Sequence, residues 1–261
     1  MRSIVAPLLM PFLVAVSFSS AVRAQSQSLL DQNLDSILLL MAVNDKGEPA
    51  LASAKVDGKQ SQVYFSSISV SGAEAINEGK AFPLKPADVK TFKFTPVSLA
   101  KFNQIMEPIL KANPDRIAVI APDPSQVTVV EKLLISQKVP PSTAKKVAAL
   151  QPMIFCPEPG LMVSVDDGPD KGKQFTPCST EFAFVDSIVS QAKQKPDLAK
   201  LKPYVVAIPL NNFIRFLGES AKEKIANIRV VPNSQIISII RKLRDRGVAP
   251  GSSLPVDGSK K

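Results

Sequence analysis

The chain has 261 residues, a formal net charge of +9 and 45% hydrophobic residues, enough for one large domain or two ordinary ones with their own cores. It contains no histidine, no tryptophan and two cysteines. The missing imidazole excludes Ser-His-Asp and Cys-His catalysis, and two cysteines without further partners cannot close a tetrahedral metal site.

Met1-Arg2 gives a positive start, and Ile4 to Phe18 form an apolar run broken by Pro7, Pro11 and Ser17. The run is shorter than the ~20 residues a membrane-spanning helix needs, and Val22-Arg23-Ala24 reads as a signal-peptidase site. Residues 1–24 are therefore expected to be a signal peptide. Its removal takes away Arg2 and Arg23 and lowers the formal charge from +9 to +7.

A first unit, residues 25–136, opens with the apolar run Ile37 to Val43. The turn Asn44-Asp45-Lys46-Gly47, a strand around Ala50 to Ala54, the turn Asp57-Gly58 and a strand at Val63-Tyr64-Phe65 complete an antiparallel meander. Ser71 and Glu74 read as a capping box for a helix ending near Gly79. A Pro/Lys-rich connection leads to a strand at Phe92 to Thr95, expected to stop at Pro96. A helix capped near Ser98 follows, with Leu99, Phe102, Ile105, Met106 and Ile109 on one face. Ile117 to Ala121 is a strand, and Asp123-Pro124 starts a helix with Val127, Val130 and Leu134 on one face.

Residues 137–151, with Lys138-Val139-Pro140-Pro141, read as a linker. The second unit, residues 152–246, repeats the order. Its meander covers Met153 to Cys156, Leu161 to Val165 and Gln174 to Cys178, with a tight loop at Asp166 to Pro169. A helix from near Thr180 to Lys195, a strand from Tyr204 to Ile208, a helix capped near Asn211, a strand from Ile228 to Val231 and a helix carrying Ile236, Ile239, Ile240 and Leu243 follow. Phe65-Ser66-x-x-Ser69 corresponds to Phe175-Thr176-x-x-Ser179, and Phe94-Thr95-Pro96-Val97 to Ala207-Ile208-Pro209-Leu210. Ser125-Gln126-Val127, with Val130 and Leu134, matches Ser234-Gln235-Ile236, with Ile239 and Leu243. The expected fold is α/β of the α+β kind: two pseudo-symmetric repeats, each a short meander with helices and further strands. Residues 247–261, rich in Gly, Pro and Ser, read as a disordered tail.

Little in the chain invites catalysis. Ser-x-x-Lys occurs at Ser98 to Lys101, Ser142 to Lys145 and Ser190 to Lys193, without the partner motifs of penicillin-recognising enzymes. Gly168-Pro-Asp-Lys-Gly172-Lys173 is one residue short of a phosphate loop and lacks its following Ser/Thr. Asp166, Asp167 and Asp170 lack calcium-loop spacing. No catalytic residue, metal ligand or cofactor is assigned. Arg241, Lys242, Arg244 and Arg246 complement a helix C-terminus and leave room for weak association with an anionic membrane surface. Nucleic acid is not an expected partner, because no stacking aromatics interleave them. Cys156 and Cys178 admit two readings, a disulfide or two buried reduced thiols. Phe102, Met106, Phe213 and Phe216, on equivalent helices of the two units, are the candidate apolar polypeptide-binding residues, with an ordinary core role as the alternative.

The leader, the duplicated meander-helix-strand-helix order, Phe94-Thr95-Pro96-Val97 and Ile117-Ala118-Val119-Ile120-Ala121-Pro122-Asp123-Pro124-Ser125-Gln126-Val127 resemble a known family. They are similar to the twenty-two-kilodalton subunit family of the chloroplast inner-envelope import translocon (Tic), in its cyanobacterial branch. The resemblance covers about residues 36–246. It implies two α/β lobes with hydrophobic pockets and a chaperone-like factor located in the periplasm, the thylakoid lumen being a second address left open. The implied partners are unfolded outer-membrane precursor proteins and the outer-membrane β-barrel assembly protein. A binding module for a small apolar ligand or lipid is the alternative function. The resemblance brings no catalytic residue and leaves the cysteine pairing open.

Overall fold

The computed structural model describes residues 24–56, 59–81, 92–165, 171–220, 225 and 227–245. The expected signal peptide before Ala24, the Asp57-Gly58 turn, most of the Pro/Lys-rich connection, the loop at 166–170, Arg246 and the tail lie outside the described residues. In chain order the elements are α1 (Ala24–Ser36), β1 (Leu38–Val43), β2 (Leu51–Val56), β3 (Lys59–Ser67), α2 (Val70–Asn77), β4 (Lys93–Ser98), α3 (Leu99–Ala112) and β5 (Arg116–Ala121). A 3-10 turn at Pro124–Gln126 leads into α4 (Val127–Ser136) and α5 (Pro141–Leu150). There follow β6 (Met153–Glu158), β7 (Val163–Ser164), β8 (Gln174–Ser179), α6 (Phe182–Gln194), α7 (Pro196–Ala199), β9 (Tyr204–Pro209), α8 (Leu210–Glu219), β10 (Ile228–Val231) and α9 (Ser234–Asp245).

Two mixed sheets result. In the first, β4, β1 and β3 pair antiparallel and β5 joins β3 in parallel. In the second, β9, β6 and β8 pair antiparallel and β10 joins β8 in parallel. β2 and the two-residue β7 lie antiparallel to β3 and β8. The α+β class expected from the pattern is the one observed.

The central strands explain their composition. β1 is an unbroken apolar run because both its faces are covered. Leu39 and Met41 enter a central core, while Leu40 and Ala42 enter an outer one. β6 behaves alike, with Ile154 and Cys156 in the central core and Phe155 in the outer cluster of its own sheet. The central core takes residues from both sheets and from α1, α3 and α8. The two units therefore do not bury separate cores, as their length alone allows. They also exchange helices. Ile236 of α9 is fully buried on the outer face of the first sheet, worth about 1.5–3 kcal/mol, and Val130 and Leu134 of α4 are buried on the outer face of the second.

Several local expectations shift. The stretch read as a linker holds α5, which starts on Pro141 and buries Ala144, Val147 and Ala148 at helical spacing against α4 and the second sheet. α1 was not foreseen, since its sequence is polar and its burial comes from tertiary packing. The cap of α2 is Ser69, whose Oγ accepts from Gly72 N–H, and the Ser71 hydroxyl instead donates to Asp123. β4 runs through Pro96 to Ser98, since on an edge strand the missing N–H breaks no ladder. β7 shrinks the expected Leu161 to Val165 strand to two residues.

Amide side chains close two edges of the second sheet. Gln137 Nε2 donates to Ala207 O at 3.0 Å and its Oε1 accepts from Ala207 N–H at 2.8 Å, on the free side of β9. Asn33 of α1 does the same on β10, donating to Ile228 O and accepting from Val230 N–H. Such caps satisfy groups that would otherwise invite another strand. Among the described residues, no helix is long and apolar enough to cross a membrane.

Candidate functional site

The site is built on α3 and α8, which leave their strands in the same way. Leu99 N–H donates to Ile37 O at 2.8 Å and Leu210 N–H to Pro152 O at 2.9 Å, so Leu99 and Leu210 are equivalent. It follows that Phe102 matches Phe213, Met106 matches Leu217 and Ile105 matches Phe216. The motif alignment that paired Pro96 with Pro209 is thus two residues out of register: Pro209 takes the place of Ser98, at the N-cap of its helix. The Ser98 hydroxyl accepts from Lys101 N–H at 3.1 Å and donates to Asp35 at 3.0 Å, which accounts for this Ser-x-x-Lys as a helix cap.

Each helix turns one apolar stripe inward. Leu99, Phe102 and Met106 of α3 and Leu210, Phe213 and Leu217 of α8 are buried in the central core. Between the helices lies a cleft of about 60 Å³. Its floor is Leu99, Phe102 and Met106, its sides are Leu110 of α3 and Ala118 and Ile120 of β5, and Asn211 and Ile214 of α8 face them. Asn103 and Glu107 bring polarity to the rim.

The four sequence candidates divide accordingly. Phe102 and Met106 line the cleft from below; Phe213 is 1% exposed and belongs to the core rather than the lining. Phe216 is 42% exposed and stands outside the lining. Sequence reasoning missed Leu110, Asn103 and Ile214, which flank the inward stripe, and the contribution of β5. Helical spacing does signal Asn103 and Leu110, which with Glu107 form the next row beside Phe102 and Met106.

In the core cluster that also holds Phe102 and Met106, Cys156 of β6 and Cys178 of β8 form a disulfide. The register Phe155↔Ser179 places them opposite each other, with Cα atoms 4.4 Å apart, and both are in the central core. A second hollow of about 390 Å³ lies elsewhere, between α2 and the Pro122–Val127 turn, and carries Glu74, Glu78 and Lys80. At the surface the Lys93 ammonium, hydrogen-bonded to Asp45 at 2.9 Å, holds that carboxyl below the usual range.

No protein-family model matches the chain, and no curated protein matches it by sequence. Solved structures do match by fold. One is described as Anabaena Tic22 (protein transport), with a TM-score of 0.61 and 17% identity over 85% of this chain and 98% of that one. Another is Tic22 from Plasmodium falciparum, with a TM-score of 0.58 and 15% identity over 84% of this chain and 99% of that one. The fold is therefore that of Tic22 structures.

Proposed function

We propose that this protein is an exported, Tic22-like transport factor without catalytic activity that shields apolar segments of unfolded precursor polypeptides in the cleft between α3 and α8. The observation that carries this reading is an apolar cleft with a polar rim between a helix of the first unit and a helix of the second, on a fold shared with the Anabaena protein-transport structure. The leader and the disulfide both suit an oxidising compartment outside the cytosol, in keeping with a periplasmic address. Outer-membrane precursors and the β-barrel assembly protein are the proposed partners. The lipid or small-ligand reading is less well supported at this cleft: about 60 Å³ admits a few aliphatic side chains, against the ~300–1,000 Å³ of sites that enclose a small molecule.

The test is aggregation of an unfolded outer-membrane β-barrel precursor with and without the mature chain, alongside a Leu110→Glu variant. Leu110 is half-buried at the cleft's side, so the variant keeps the core intact. Suppression by the wild type that is lost in the variant supports the reading and places the site. No suppression by the wild type refutes it.

A further inference from the structure

The seam between α3 and α8 has two ends. At one end α1 lies against α3, α8 and β10, with Leu34 buried in the central core and Leu30 packed on it. Between those leucines Asn33 joins β10 much as a neighbouring strand would, donating to Ile228 O at 3.3 Å and accepting from Val230 N–H at 2.9 Å. The other end of the seam is the open cleft, which abuts β5.

The registers align these two edges. Leu40 pairs with Ser67 and Ser67 with Ala121; Phe155 pairs with Ser179 and Ser179 with Val231. Counting back from Ala121 and Val231, Ala118 and Ile120 of β5 occupy the places of Ile228 and Val230. Both line the cleft. The carbonyls of Val119 and Ala121 face β3, where the Ser66 hydroxyl and Ile68 N–H donate to them. Strand alternation then aims Ala118 C=O and Ile120 N–H at the open side. Among the described residues β5 pairs with β3 alone.

The geometry points to an amphipathic α-helix of a client polypeptide as the occupant of this open end. Two aliphatic side chains four residues apart lie over Phe102, Met106 and Leu110, and an Asn or Gln just before the second bonds Ala118 C=O and Ile120 N–H. The inference rests on the transport reading above and deepens it, because it names the kind of segment held. It draws on continuity: the same seam already seats a helix of this pattern, Leu30-x-x-Asn33-Leu34. Charge adds a preference. Among the described residues Glu107 is the one charged residue of the lining, so a helix with basic residues beside its apolar stripe is favoured over an acidic one.

The probe is a fluorescent peptide of residues 24–37 carrying Asp31→Lys and Asp35→Lys, titrated by anisotropy into the full mature chain. Saturable binding with a gain of helical circular dichroism is expected. A further Asn33→Ala change in the peptide weakens binding about tenfold, the scale of one or two hydrogen bonds. Leu110→Glu in the protein abolishes it. Absence of binding, equal binding by the Asn33→Ala peptide, or binding unaffected by Leu110→Glu, as displacement of α1 would give, each overturns the inference. So does preferential binding of a strand-forming peptide of equal hydrophobicity. The precursor aggregation assay runs in parallel. Suppression without peptide binding sinks the helix inference alone, and failure of both sinks the transport reading as well.

Discussion

Phe213 and Phe216 are three residues apart on one helix, and aspartate at the two positions should have opposite consequences. Phe213 is 1% exposed. Removing a buried ring costs about 3–5 kcal/mol, and placing a carboxyl in that space adds several more through desolvation. Against a total stability of ~5–15 kcal/mol, Phe213→Asp should leave the chain largely unfolded or lower its melting temperature by at least ~10 °C. Phe216 is 42% exposed, so it gives up little more than half of the ~1.5–3 kcal/mol of a fully buried side chain. Phe216→Asp should therefore lower the melting temperature by only a few degrees. Thermal melts of the mature chain, followed by far- and near-ultraviolet circular dichroism, separate the two. A Phe213→Asp variant that melts cooperatively within a few degrees of wild type would contradict the packing of α8 described above. The same arithmetic disqualifies Phe102→Asp as a binding-site probe, since Phe102 is 4% exposed and its loss would report on folding.

Reducing the Cys156–Cys178 bond releases a loop of 22 residues, which the chain-entropy relation values at about 3 kcal/mol; the urea midpoint should fall accordingly with reductant, and Cys156→Ala/Cys178→Ala should no longer respond to it. Asn33→Ala and Gln137→Ala each leave a strand N–H without its partner, at about 1–3 kcal/mol, and should speed aggregation on heating, read by light scattering; unchanged scattering in both would show that those edges are protected otherwise. Residues 37–136 and 152–246 expressed separately should give poorly dispersed amide spectra, because α4 and α9 cover the opposite sheets; a cooperative melt from either half would overturn the shared-core description. With no histidine, stability should be level from pH 6 to 8. Asp45, whose folded pKa lies below its unfolded value, adds stability that is present above about pH 4 and lost as pH falls through the folded pKa, so acid unfolding of Asp45→Asn should lack that part of the slope.

What could be read from residues alone was local and periodic. The apolar runs of β1 and β6 announced strands, though not their cover on both faces, and Ser98 announced a helix start, because each signal lies within a few residues of its effect. Three things escaped. α1 is polar over most of its length and is held by Leu34 and Asn33 contacts with elements almost two hundred residues away. α5 carries its signal in Ala144, Val147 and Ala148, but Pro140-Pro141 and the lysines obscured it. The third is the division between Phe213 and Phe216. Leu210, Phe213 and Leu217 already define an inward stripe by helical spacing, and Phe216 falls off it. The cysteine pairing was open because the register that sets Cys156 opposite Cys178 is a property of the folded sheet.

The shared core has a consequence for how binding would be felt. Phe102 and Met106, the cleft floor, belong to the same cluster as Cys156, Cys178 and Val230 of the second sheet and Leu39 and Met41 of the first. An occupant that stabilises the cleft therefore stabilises both sheets at once. A ligand at a hundred times its dissociation constant raises stability by about 2.7 kcal/mol, provided it does not bind the unfolded chain. In two independent lobes only the transition of one lobe would move; here a single transition should move as a whole. The cleft floor is accordingly part of the core that both sheets share, so substitutions into it should read out as unfolding, whereas changes at the sides and rim, Leu110, Ile214 and Glu107, are the ones expected to alter binding alone.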